Sequence, residues 1–368
     1  MQEINQQSEM NQPLITPGEQ LQRELDERGL TQKDLADTID KPTPLINEIV
    51  NNKRRFSAEM SALIGVALGM PSDYWLNLQV QYEISRIEQE DGFDTKKQSI
   101  VVWNRLKEIV NVGYLKKRFN LSSDTSECIN KIFQYFGVDT IDAFEEKAKS
   151  VCDAFYRKSE KSQTDSINLL TWIMIVKHDS EAWSQTLNPF KKEKERELIQ
   201  ELNSVFLKNQ DTINNVQSVL NKYGIKYFKE DKLDKVPVDG YSFWIGSNPT
   251  IAMTKRFDRI DYFAFTLMHE IGHIIKHISP DAKKDSIDIV IESNRDYEKE
   301  ANMFAEKSLI NGAPIEELFS RCKNPYTADY EIIRFANDHH IHRSIIAGQY
   351  RNHINSYSAC SRLIDKIG

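Results

Sequence analysis

Cysteine is scarce and unpatterned in this chain. Cys128, Cys152, Cys322 and Cys360 stand singly along 368 residues, which argues against a disulfide framework and against a zinc site built on clustered thiolates, and suits a reducing cytosol. Long apolar runs are missing too. The longest, residues 167–176, is interrupted by Asn168 and Thr171 and falls well short of the ~20 residues a membrane span needs. It reads as a buried helix. Residues 1–11 are polar, without the basic-then-apolar order of a signal peptide, so the expected location is the cytoplasm. An excess of positive charge is also absent. The 48 Lys and Arg against 55 Asp and Glu leave a formal net charge of −7, which excludes a wholesale nucleic-acid coat and allows only a local basic surface. Against these absences stand 40% hydrophobic residues, enough for real cores, and a length that suits two or three domains.

The chemistry concentrates at His269-Glu270-Ile271-Gly272-His273. On a helix, side chains at i and i+4 share a face, so both imidazoles can reach one Zn²⁺. Glu270 follows the first histidine directly and points to the flank of the metal, where a carboxylate can hold and deprotonate a water. Apolar residues before and between these positions predict an amphipathic helix over about 262–278. A catalytic zinc keeps one position open, so a third protein ligand is wanted from elsewhere. Glu298 and Glu300 compete for it. Ala301, Phe304, Ala305 and Leu309 define the apolar face of their helix, and at 100° per residue Glu298 projects near its centre while Glu300 lies near its edge. Glu298 is therefore favoured, with Asn302 one turn on as a hydrogen-bond partner for a ligand histidine. The alternative is that both glutamates are solvated surface charges.

The run Arg256-Phe257-Asp258-Arg259-Ile260-Asp261-Tyr262-Phe263-Ala264-Phe265-Thr266-Leu267-Met268 leading into the motif, with Glu298-Lys299-Glu300-Ala301-Asn302-Met303-Phe304-Ala305 downstream, resembles the ImmA/IrrE family of zinc metallopeptidases. The resemblance spans roughly the last 150 residues. It implies a Zn²⁺ held by His269, His273 and a glutamate, for which Glu298 is favoured over Glu300, with Glu270 as the catalytic carboxylate, and a protein substrate that is a DNA-binding repressor or related partner. It extends to Ile341-His342-Arg343-Ser344-Ile345-Ile346-Ala347-Gly348. That makes His342 a candidate for polarising the scissile carbonyl, with a helix-capping or surface histidine as the alternative.

The N-terminal part reads as short helices at about 18–28, 32–38, 44–50, 58–68 and 72–78, separated by tight turns at Gly29-Leu30-Thr31 and around Pro42. Gly29-Leu30-Thr31-Gln32-Lys33-Asp34-Leu35-Ala36 and Ile46-Asn47-Glu48-Ile49-Val50-Asn51-Asn52-Lys53-Arg54-Arg55 resemble the Xre-type helix-turn-helix fold. The stretch from Ala67 to Gln79 narrows the resemblance to the HigA-like antitoxin branch, which binds its own operator DNA as a homodimer. In that fold Gln32 and Thr43 approach backbone and bases, Asn47 reads bases, and Lys53, Arg54 and Arg55 neutralise phosphates. Charge weakens the reading: residues 14–82 hold seven Lys and Arg against ten Asp and Glu. Three of the seven basic residues nonetheless fall together at 53–55.

Residues 83–200 are helical in pattern and carry no chemistry of their own, with Trp172 and Trp183 as core anchors. The region resembles the linker of fused repressor-peptidase chains, which implies coupling or sensing. Short strands follow at 225–228, 241–245 and 250–254, bounded by Gly224, Asp239-Gly240 and Ser247-Asn248-Pro249. An edge of such a sheet can add an extended peptide as a further strand.

The expected fold is mainly α with a small β-sheet, an α+β architecture. It comprises a disordered arm at 1–13, an all-α helix-turn-helix domain at 14–82, a helical connector at 83–200 and a zincin-like metallopeptidase domain at 201–368. The expected function is a DNA-binding regulator carrying a zinc endopeptidase that cleaves a repressor, a toxin or its own N-terminal module. The rival expectation is a non-catalytic HigA-like antitoxin or repressor whose metal domain is sensory or structural.

Overall fold

A computed structural model describes residues 15–151, 163–234, 236, 238–254, 258–280, 295–322 and 325–368. The arm expected at 1–13 lies outside them, as do Cys152, Arg256 and Phe257. The described residues are mainly helical with one small sheet, and they form two compact units, Met1–Val101 and Val102–Gly368.

The first unit runs α1 (Pro17–Glu27), α2 (Gln32–Thr38), α3 (Thr43–Val50), α4 (Ala58–Leu68), α5 (Tyr74–Glu88) and the start of α6 (Phe93–Ile109). Of these, α1, α2 and α4 begin where a side chain satisfies a free N–H group. Thr16 with Glu19 and Thr31 with Asp34 each form a reciprocal capping box. The turn between α1 and α2 is closed by Gly29 at φ +65°, a left-handed conformation that glycine adopts without strain. Pro44 sits in the first turn of α3, where its missing N–H costs nothing and its fixed φ is already helical. Leu21, Leu25, Leu35, Ile46, Ile49, Ile64 and Trp75 form the core, and Phe56 stacks on Trp75 with ring centroids 5.3 Å apart. The helix expected at 72–78 continues through Glu88.

In the second unit α7 (Val112–Arg118), α8 (Thr125–Phe136), α9 (Ile141–Val151), α10 (Gln163–Glu181), α11 (Glu195–Lys208) and α12 (Thr212–Lys222) precede β1 (Lys226–Glu230), β2 (Gly240–Ile245) and β3 (Asn248–Thr254). Next come α13 (Ile260–Lys276), α14 (Arg295–Ile310), α15 (Ile315–Arg321), α16 (Pro325–Asp338) and α17 (Arg343–His353). The strands order β1-β3-β2, with β1 parallel and β2 antiparallel to β3.

β3 is buried along its whole length, and its period-2 alternation gives the sheet two apolar faces. Ile251 and Met253 join Tyr227 in a core shared with α13. Ala252 joins Tyr241 and Phe243 in a second core with Leu106, Trp172 and Ile173. Much of the region expected as a connector, 83–200, is therefore the second layer over the sheet. A sheet apolar on both faces must be covered on both.

α13 is buried on most of its circumference and packs on α14, α17 and β2. Gly272 allows the approach to α14, since an added Cβ would lie 3.1 Å from Phe304 Cδ1 and 3.3 Å from Ala301 Cα.

Candidate metal centre and nucleic-acid interface

On α13, His269 and His273 lie one turn apart and face α14, from which Glu298 reaches toward them. The ligand-type atoms of the three residues all fall within 4.8 Å of one another. His269 Nε2 and His273 Nε2 are 3.0 Å apart, and they lie 3.5 Å and 3.3 Å from the two carboxylate oxygens of Glu298.

The partners of the other ring nitrogens decide where the protons sit. His269 Nδ1 is 2.8 Å from Asn302 Oδ1, an acceptor, so Nδ1 carries the proton and Nε2 presents a lone pair. The His273 ring is fixed through two residues. His277 Nε2 lies 3.1 Å from Glu300 Oε2 and donates to it, and burial lowers the His277 pKa despite the opposing Glu300 hydrogen bond. The neutral His277 ring then accepts at Nδ1 from His273 Nδ1, 3.0 Å away, and His273 Nε2 also presents a lone pair. Two lone pairs facing one another beside a carboxylate repel unless they share a cation. Glu298 Oε1 is likewise buried with no hydrogen-bond partner. This nitrogen, nitrogen and oxygen set fits a zinc-type ion with a further coordination position left for water.

Of the two competing glutamates, the structure brings Glu298 to the histidine pair and sets Glu300 against His277. Asn302 takes the supporting position expected of it. His277 was not among the expected site residues, although its spacing, four residues after His273, carried the signal. Tyr297 stacks on its ring with centroids 4.7 Å apart. Partners that orient a ligand histidine are typically worth about 10–100-fold in metal affinity. His277→Leu is therefore expected to weaken zinc binding by about that factor, read by competition with a chelator of known affinity, with the fold intact by circular dichroism.

Glu270 projects from a different flank of α13, toward β2, and is buried. Ser242 Oγ donates to Glu270 Oε2 at 2.7 Å. A Cβ on Gly240 would lie 2.6 Å from Glu270 Oε1 and 2.7 Å from its Cγ. Strand β2 thus forms a cradle in which glycine makes room for the carboxylate and serine fixes its rotation. Neither residue was foreseen as part of the site.

His342 is the N-cap of α17: Ser344 N–H donates to its Nδ1 at 3.2 Å, and its Nε2 lies 3.7 Å from Asp365 Oδ2. Burial lowers its pKa. These contacts match the capping alternative, and His342 is outside the group formed by His269, His273 and Glu298.

In the first unit the residues expected at DNA lie on α2, α3 and the turn after α3. Asn47 Nδ2 donates to Gln32 Oε1 at 3.1 Å, and Gln32 Nε2 donates to Gln22 Oε1 at 2.8 Å, so one amide string ties α1, α2 and α3. Thr43 opens α3. Lys53, Arg54 and Arg55 are exposed. Arg54 pairs with Glu48 at 2.7 Å and Arg55 with Glu83 on α5 at 3.0 Å; among the described residues Lys53 has no ion-pair partner.

Comparison with known proteins divides the chain in the same way. Residues 21–75 match the family model of a helix-turn-helix domain, and residues 220–344 match that of a peptidase family described as the IrrE N-terminal-like domain. Over 79 residues the chain is 35% identical to virulence-associated protein I of Dichelobacter nodosus, covering 21% of this chain and 73% of that protein. Over 75 residues it is 29% identical to virulence-associated protein A' of the same organism, covering 20% of this chain and 65% of that relative. No solved structure matches the chain significantly. Among the described residues no helix is long and apolar enough to cross a membrane.

Proposed function

We propose, from a chain that belongs to the Xre-like helix-turn-helix family through its first unit and to the IrrE-like peptidase family through its second, that this protein is a cytoplasmic regulator which binds operator DNA and cleaves a regulatory protein. The observation that carries the peptidase reading is the convergence of His269, His273 and Glu298 beside a cradled Glu270. In this reading the first three residues hold Zn²⁺. Bound there, the ion supplies Lewis-acid chemistry and lowers the pKa of water.

The protein's own residues do the rest. Asn302 and the His277–Glu300 pair keep both ligand imidazoles in the tautomer that leaves Nε2 free. Ser242 occupies Glu270 Oε2, which leaves Oε1 to accept the proton of the attacking water and pass it to the leaving amine. The substrate is a repressor, a toxin or the protein's own N-terminal module. A homodimer would present two recognition helices to two half-sites.

Metal analysis tests the site directly. The full chain purified with zinc is expected to carry one ion, lost in His269→Ala, His273→Ala and Glu298→Ala and retained in Glu300→Ala. A chain that binds no zinc, or one that loses it with Glu300 rather than Glu298, overturns the assignment.

A further inference from the structure

Away from the metal group, residues of α13, α14, α15 and α17 enclose a cavity of about 820 Å³, within the size range of small-molecule sites. Phe265, Leu309, Ile310 and Ile345 give it apolar walls. Arg351 also lines it, although the residue is only 7% exposed and its Nε has no hydrogen-bond partner.

Among the described residues no carboxylate forms an ion pair with Arg351. Asp261 lines the same cavity but is already engaged: Arg259 Nε donates to Oδ1 at 3.1 Å, and an Nη of Arg259 donates to Oδ2. Gly348 lets α17 close on this pair, since an added Cβ would lie 2.8 Å from Asp261 Oδ2. Burial lowers the Arg351 pKa and the Arg259 charge lowers it further, with Asp261 opposing both. A guanidinium nevertheless stays protonated, and a charge withdrawn from water with an unbonded Nε and no carboxylate of its own is unfavourable. The arrangement fits a binding group whose anion arrives from outside.

We propose that this cavity binds a small organic molecule bearing one carboxylate on an apolar body, with the carboxylate paired to Arg351 and the body against Phe265, Leu309, Ile310 and Ile345. Beyond the Arg259–Asp261 pair and Arg351, the acidic Glu306, Glu316 and Glu317 outnumber Lys307 among the residues that line the space and disfavour a second negative charge, which favours a monocarboxylate over a phosphate. Phe265 lies one turn before His269, with ring centroids 6.4 Å apart. An occupant therefore touches the helix that carries the metal group, the position of an effector.

The test uses the full chain with phenylacetate, 4-phenylbutyrate and octanoate, each against its own amide, by thermal unfolding and calorimetry. At least one acid is expected to raise the unfolding midpoint and to bind at least roughly tenfold more tightly than its amide, the loss of one charge-assisted pair. Arg351→Met is expected to raise the midpoint of the free protein and to abolish the response to acid. Ala313→Phe, which fills the cavity and leaves the arginine in place, is expected to abolish it too. The proposal is overturned by silence to all three acids, by equal binding of acid and amide, or by a response that survives either substitution. Destabilisation of the free protein by Arg351→Met overturns it as well, because the arginine would then be structural. None of these readouts needs a metal, so this proposal and the peptidase reading fail separately.

Discussion

Glu270→Gln is expected to lower the rate of peptide-bond cleavage by about 10²–10⁴-fold, the usual contribution of a general base, while zinc content stays at the wild-type level. Both halves of that result follow from where the side chain lies. Glu270 is buried on the β2 flank of α13, whereas His269, His273 and Glu298 meet on the α14 flank. Glutamine is isosteric with glutamate and can still accept from Ser242 Oγ through its carbonyl, so the cradle of Gly240 and Ser242 survives. What is lost is the site that takes a proton from water. Zinc bound per chain and cleavage rate, measured on the same preparation, separate the two effects. Equal rates in wild type and variant would mean that Glu270 is not the base.

The second large effect concerns DNA. Changing Lys53, Arg54 and Arg55 together to Ala is expected to weaken binding to a duplex from upstream of the gene by about 10²–10³-fold at low salt, and to flatten the salt dependence by roughly one unit of slope per residue. The three are not equivalent. Arg54 and Arg55 must release Glu48 and Glu83 before they reach a phosphate. Those pairs are substantially exposed and worth only ~0–1 kcal/mol each, so exchange is feasible but takes part of the gain. Lys53→Ala should therefore cost more affinity than either single arginine change. Titration of labelled duplex across a salt series measures both affinity and slope. An unchanged slope in the triple variant would make this stretch a protein-binding surface instead.

Local pattern made part of this architecture legible in advance. The spacing of His269 and His273 and the position of Glu298 on the apolar face of α14 are properties of single helices. The turn at Gly29-Leu30-Thr31 is likewise written in neighbouring residues. The features that escaped depend on which elements meet. The Glu270 cradle forms because β2 packs on α13, joining Gly240 and Ser242 to a carboxylate some 28 residues away from Ser242. The His277–Glu300 pair spans 23 residues and two helices. The sequence pattern read residues 167–176 as a buried helix but could not say that this helix covers the second face of a sheet starting at Lys226. His342 shows the converse. A resemblance suggested a chemical role, while the packing of α17 gives the ring a capping hydrogen bond and an acidic neighbour, Asp365.

The most direct test of the central claim is a comparison of protein N-termini in cells carrying the wild-type chain or Glu270→Gln at equal abundance. If the protein is a peptidase acting on a regulator, new N-termini will be found in a DNA-binding protein, a toxin or this chain's own first unit, in the wild type alone. Identical sets of N-termini in the two strains would contradict it and leave a metal-bearing regulator that does not cleave.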